Sequence, residues 1–154
     1  MHERGLPNGH EGMLKLPKPF YEEMVAHCRR EYPKEACGIF AGATTQGLPA
    51  IDRPRTVVAV YPMRNVEDSP IGYSMDPKEQ LRLDRQMRQA GQQMLAIFHS
   101  HTATAAYPSS VDVSLAISPE ISYVLVSLTQ PQRPVVKSYR IDGTTVTAEE
   151  IVRA

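Results

Sequence analysis

Apolar positions fall in separate blocks along the chain, and each block carries its own period. In KPFYEEMVAHCRREY, residues 18–32, Phe20, Met24 and Cys28 recur at helical spacing with Tyr21 and Val25 beside them, and Pro33 stops the run. An amphipathic helix is expected there. CGIFAG at 37–42, closed by Gly42, reads as a short buried strand, and TVVAVYPM at 56–63 reads as a second. Gly47, Pro49 and Pro54 mark an exposed loop between them. Asp76, Pro77 and Glu79 form a helix start in which Asp76 caps, Pro77 takes the first turn and Glu79 reaches back to the cap. Leu83, Met87 and Ala90 supply the buried stripe of that helix, Gly91 ends it, and QMLAIF at 93–98 follows as an apolar strand running into His99. Beyond it, SSVDVSLAIS suggests a short helix, ISYVLVSL and PVVKSYRI two further strands, and DGTT at 142–145 a tight turn. Strands interleaved with three helices predict an α/β (α+β) fold. Its mixed central sheet is too apolar to expose a face, so helices should flank it on both sides.

Length and composition narrow this picture. A chain of 154 residues suits one domain, and 42% hydrophobic with 22% charged residues is a globular composition. Polar residues 1–13, with Gly and Pro scattered among them, read as a flexible tail, which leaves 14–154 as the domain. The N-terminus lacks the apolar region of a secretory signal, and no apolar run approaches the roughly 18 residues of a membrane span. Lys plus Arg and Asp plus Glu number 17 each, so no net field favours nucleic acid or an anionic membrane surface. The expectation is a soluble, cytoplasmic protein that binds neither. Cys28 and Cys37 form no CxxC pair, and Cys28 reads as a small apolar residue of the first helix.

The candidate chemistry lies in FHSHTATAAYPSSVD, residues 98–112. On an extended strand residues i and i+2 share a face, so His99 and His101 can aim both imidazoles at one point. Asp112 follows after a turn at Pro108, on what reads as the first turn of a helix. Two histidines and a carboxylate make three protein ligands, the set with which a catalytic zinc keeps its fourth position for water. Ser109 to Asp112 also forms a capping box, which alone would explain both residues; the two readings are compatible.

His99, His101, Ser109 and Asp112 stand at the spacing His-x-His, seven residues, Ser, two residues, Asp. This resembles the JAMM motif of MPN-domain zinc metallopeptidases. The family also uses an upstream Glu, and PKEACGIFAG supplies Glu35 in a segment similar to the one that carries it there. The resemblance runs from about Leu14 to about Ile141. It implies one zinc per chain on His99, His101 and Asp112, with Glu35 as general acid/base and Ser109 as a donor to the oxyanion. Small stand-alone prokaryotic members are associated with ubiquitin-like sulfur-carrier proteins, cutting the peptide or isopeptide bond after the carrier's C-terminal glycines. Thr102 stands where many members have Pro, a change expected to affect the rim of the cleft.

Three rival readings come from the same residues. Cys37 could act as a nucleophile with a histidine base. A structural zinc would need a fourth protein ligand, for which His27 or Cys37 come first. A catalytically silent binding scaffold would need no metal.

Overall fold

The computed structural model describes residues 2–4, 13–44 and 55–153. In chain order the elements are β1 (His2–Arg4), β2 (Met13–Lys15), α1 (Lys18–Glu31), β3 (Cys37–Ala43), β4 (Val57–Met63), α2 (Pro77–Gln89) and β5 (Gln92–His101). They continue with α3 (Ser110–Ser114), β6 (Ser122–Ser127), β7 (Val135–Asp142) and β8 (Thr145–Val152). Within the segment expected to be a tail, His2–Arg4 lies parallel to β8 and Met13 opens β2; residues 5–12 lie outside the described residues. So does most of the expected loop with Gly47, Pro49 and Pro54.

The strands form one mixed sheet in the order β1-β8-β7-β6-β5-β3-β4, with β2 also on β8. A parallel bridge from Lys15 to Thr56 ties β2 to the approach of β4, so the sheet curls toward itself. β5 and β6 are parallel, and α3 sits in the crossover between them.

Helices cover both faces, as the apolar pattern implies. α1 packs Met24, Val25 and Cys28 on Phe40, Phe98, Val124 and Val126. On the opposite face, Leu83 and Met87 of α2 meet Cys37, Ile39 and Met63, and Val113 of α3 meets Leu125, Tyr139 and Ile141. α2 starts as expected, with Asp76 Oδ1 accepting the Lys78 amide at 3.0 Å and Pro77 in the first turn. Ala90 is exposed at the C-cap instead of joining the stripe, and Gly91 ends the helix at φ +68°. α3 ends at Ser114, because Leu115 and Ile117 find no core to enter and stay exposed.

Two packing features hold the central strands. Phe98 is fully buried against Phe40, with ring centroids 5.0 Å apart, in a space that exists because residue 38 is Gly. A Cβ there would lie 2.1 Å from Phe98 Cζ. Elsewhere the carboxylate of Glu149 is enclosed in the sheet, paired with Arg55 and accepting 2.7 Å hydrogen bonds from Ser122 and Ser138. Its charge is matched on every side, which is how a buried carboxylate is tolerated.

Candidate metal centre

The apolar strand expected at 93–98 continues through both histidines to His101. Antiparallel pairing sets Cys37 opposite His99, and the Ser100 amide donates to the Ala36 carbonyl at 3.0 Å. The buried Ser100 hydroxyl in turn accepts the Ala36 amide at 2.8 Å. Extending that register places Glu35 opposite His101, on the same face of the sheet. Sequence spacing could never join residues so far apart; the β3–β5 pairing does.

His99, His101 and Asp112 each offer a ligand atom within 4.8 Å of the others. His101 Nε2 lies 3.0 Å from Asp112 Oδ2 and 3.2 Å from His99 Nε2, and His99 Nε2 lies 3.2 Å from Asp112 Oδ1. The tautomer of His101 is fixed by its other nitrogen. Nδ1 stands 2.9 Å from the Ala105 carbonyl, which can only accept, so Nδ1 carries a proton and Nε2 is the nitrogen a metal would take, in place of any proton there. The three candidate ligand atoms converge in a buried place, where an imidazole N–H can bridge to Asp112 and a cation could stand in its stead. The donor set of two imidazoles and one carboxylate suits zinc.

The capping box of α3 is present in full. Ser109 Oγ accepts the Asp112 amide at 3.0 Å, and Asp112 Oδ2 accepts the Ser109 amide at 2.9 Å. The helix cap and a candidate metal ligand therefore coincide on one carboxylate. Burial opposes its charge, yet the hydrogen bonds from His101 and His99 hold the Asp112 carboxyl well below the usual carboxylate range. Burial pushes His99 down. Burial also opposes a charged His101, but Asp112, the Ala105 carbonyl and Glu35 together raise it.

Glu35 is only 7% exposed. Burial pushes its carboxyl up to about 7; His101 moderates the rise, while Asp112 and Glu67 add to it. A carboxyl near 7 can both take and return a proton at neutral pH. Its backbone is pinned by the loop at 65–74: the Glu35 amide donates to Ser69 O at 2.8 Å, and Asn65 Nδ2 donates to Glu35 O at 2.9 Å. The Thr102 hydroxyl donates to Pro70 O at 3.0 Å, so Thr102 ties the end of the histidine strand to the same loop. Tyr73 stacks on His99 with centroids 4.6 Å apart. No sequence signal pointed to Tyr73, Asn65 or the Ala105 carbonyl, since each acts through a loop whose path the pattern does not give.

The rival ligands and nucleophile lie elsewhere. Cys37 is fully buried, its thiol pushed up to about 12 by burial first and by nearby acids second, so it is an inert core residue. His27 donates from Nε2 to the Cys37 carbonyl at 3.1 Å and packs edge-on to Phe98, on the α1 face. Among the described residues, the one His/Cys/Asp/Glu cluster able to hold a metal contains neither of them.

The protein is a hydrolase of the peptidase type. The chain belongs to the family described as prokaryotic homologs of the JAB domain, which matches residues 17–142. It is 47% identical over 139 residues to the CysO-cysteine peptidase of Mycobacterium tuberculosis, covering 90% of each chain. To the probable TtuB-protein conjugate cleaving protease of Thermus thermophilus it is 37% identical over 114 residues, 73% of this chain and 70% of that one. The solution structure of a protein from Desulfitobacterium hafniense superposes with a TM-score of 0.79 at 44% identity, covering 92% of this chain and 93% of that one. No helix among the described residues is long and apolar enough to cross a membrane.

Proposed function

We propose that the chain is a zinc-dependent peptidase that cuts the amide bond after the C-terminal glycines of a ubiquitin-like sulfur-carrier protein. The observation that carries the reading is the convergence of His99, His101 and Asp112 with Glu35 opposite them. The relatives named for a CysO-cysteine adduct and for TtuB-protein conjugates support the substrate class. The catalytic unit is one domain over residues 14–154. Two free cysteines suit a reducing cytoplasm.

His99, His101 and Asp112 would hold one zinc, which would supply Lewis acidity toward a water and the scissile carbonyl. Glu35 takes the proton of the attacking water on its carboxylate and returns it to the leaving amine. The Ser109 oxygen is occupied by the Asp112 amide, so its own O–H is the part left to donate to the developing oxyanion. Asp112 stays ionised throughout, because both histidines favour its charge.

The test is to strip the protein of metal, reload it with zinc, and offer a carrier protein bearing a C-terminal cysteine. Mass spectrometry should find the shortened carrier and free cysteine with the zinc-loaded protein alone. A zinc-loaded chain that binds the carrier but leaves it intact would point instead to a scaffold.

A further inference from the structure

The loop from Thr102 to Ser109 has no strand partner, yet three successive carbonyls in it are each taken by a side chain of the sheet. Thr104 O accepts from Ser127 Oγ at 2.7 Å, Ala105 O from His101 Nδ1 at 2.9 Å and from the Tyr107 amide at 2.8 Å, and Ala106 O from Tyr139 Oη at 2.7 Å. The donors stand on three adjacent strands, β6, β5 and β7, and Ser127 is the register partner of His101. Both hydroxyl residues are buried, and Tyr139 also packs its ring edge-on to Tyr107 with centroids 5.4 Å apart. The Ala105 carbonyl is therefore held from the residue before it and the residue after it.

We infer that Ser127 and Tyr139 are positioning residues of the metal centre, which act by fixing the Ala105 carbonyl that orients His101. The inference rests on the proposed zinc site. The Tyr107 amide closes a tight turn on the Ala105 carbonyl, and Ser127 and Tyr139 pin that turn to the sheet; releasing either shifts the turn, and the His101 ring can then swing its Nε2 away from His99 and Asp112. Groups that orient a ligating histidine typically affect metal affinity by about 10–100-fold, and a group one contact further out should fall near the lower figure.

Tyr139→Phe and Ser127→Ala each remove one oxygen and leave the packing nearly intact. Tyr123→Phe is the control. It loses a hydroxyl from the same sheet, one that donates to Ser118 O at 3.0 Å and accepts the Ile117 and Ser118 amides. Zinc affinity is measured on metal-stripped proteins by chelator competition, and the cobalt-substituted proteins give visible spectra. Tyr139→Phe and Ser127→Ala should weaken zinc about 10-fold and shift the cobalt bands. Tyr123→Phe should lower only the unfolding temperature, and Ser127→Thr, which keeps the hydroxyl, should bind zinc like the parent. Parental affinity and spectra in Tyr139→Phe and Ser127→Ala overturn the inference. If both bind weakly but Tyr123→Phe does too, the effect is general loosening and the inference is again overturned. A parent protein without a tight zinc site sinks the metal reading itself, and this inference with it.

Discussion

Replacing Glu35 with Gln separates stability from catalysis in a way the burial of this carboxyl makes quantitative. Burial, moderated by His101 and reinforced by Asp112 and Glu67, lifts the group from its ordinary 4.5 to about 7. At about 1.4 kcal/mol per pH unit, an ionised Glu35 destabilises the metal-free fold by about 3 kcal/mol. Because the folded value is the higher one, the penalty is absent below the unfolded value of 4.5, grows with pH, and is complete above about 7. Gln has the same shape and stays neutral at every pH. Metal-free Glu35→Gln protein should therefore match the parent near its acid limit and exceed it by about 2–3 kcal/mol at about pH 8. Urea unfolding of both proteins at a series of pH values reads the difference directly. Zinc is kept out of this measurement, since a cation in the site would favour the ionised form. In the zinc-loaded protein the same substitution should keep all three metal ligands, and so the bound metal, and slow hydrolysis by about 10²–10⁴-fold. A stability difference that stays flat across this pH range would refute the burial reasoning, and a fully active Gln variant would remove Glu35 from the chemistry.

Other outcomes follow from the same geometry. Asp112→Ala should lose zinc affinity by about 100-fold and weaken α3 by about 1 kcal/mol through the damaged cap, read by chelator competition and thermal unfolding; unchanged affinity would leave only the capping role. Since His101 is held above its ordinary value when no metal is present, zinc binding near neutral pH should release a proton and release less as the pH rises. Calorimetry in buffers of different ionisation enthalpy tests this, and heats independent of buffer would count against it. Gly38→Ala puts a Cβ 2.1 Å from Phe98 Cζ and 2.9 Å from the Tyr61 carbonyl, so it should cost about 3 kcal/mol or prevent folding. A parental unfolding midpoint in that variant would show that the ring has room to move.

Much of this architecture was legible because pattern and packing agree. Met24 and Cys28 of α1, Leu83 and Met87 of α2, and the runs that became β3 to β7 bury the residues their spacing predicts. What escaped the pattern did so for physical reasons. β8 carries the enclosed Glu149, whose charge breaks the alternation that would mark TVTAEEIV as a strand, and only its partners from three other segments make that burial possible. β2 is three residues long, too short for any period to show. The apolar run of β5 marked 93–98 running into His99, while the pairing that carries the strand on to His101 has no local sign, since nothing local reveals that Ser100 is satisfied by Ala36 across the sheet. The cluster of His99, His101 and Asp112 could be read from local spacing, while Glu35 was legible only through the family's segment, because its place opposite His101 depends on long-range register.

Asp112 is held to its helix start by hydrogen bonds that need no metal. The frame and the chemistry are thus separately heritable. Asn at position 112 could still cap the helix while offering a far poorer ligand, and a single base change converts Asp to Asn. A descendant of this chain could become a mute adaptor in one mutational step, keeping its surface and its bound partner while losing the power to cut.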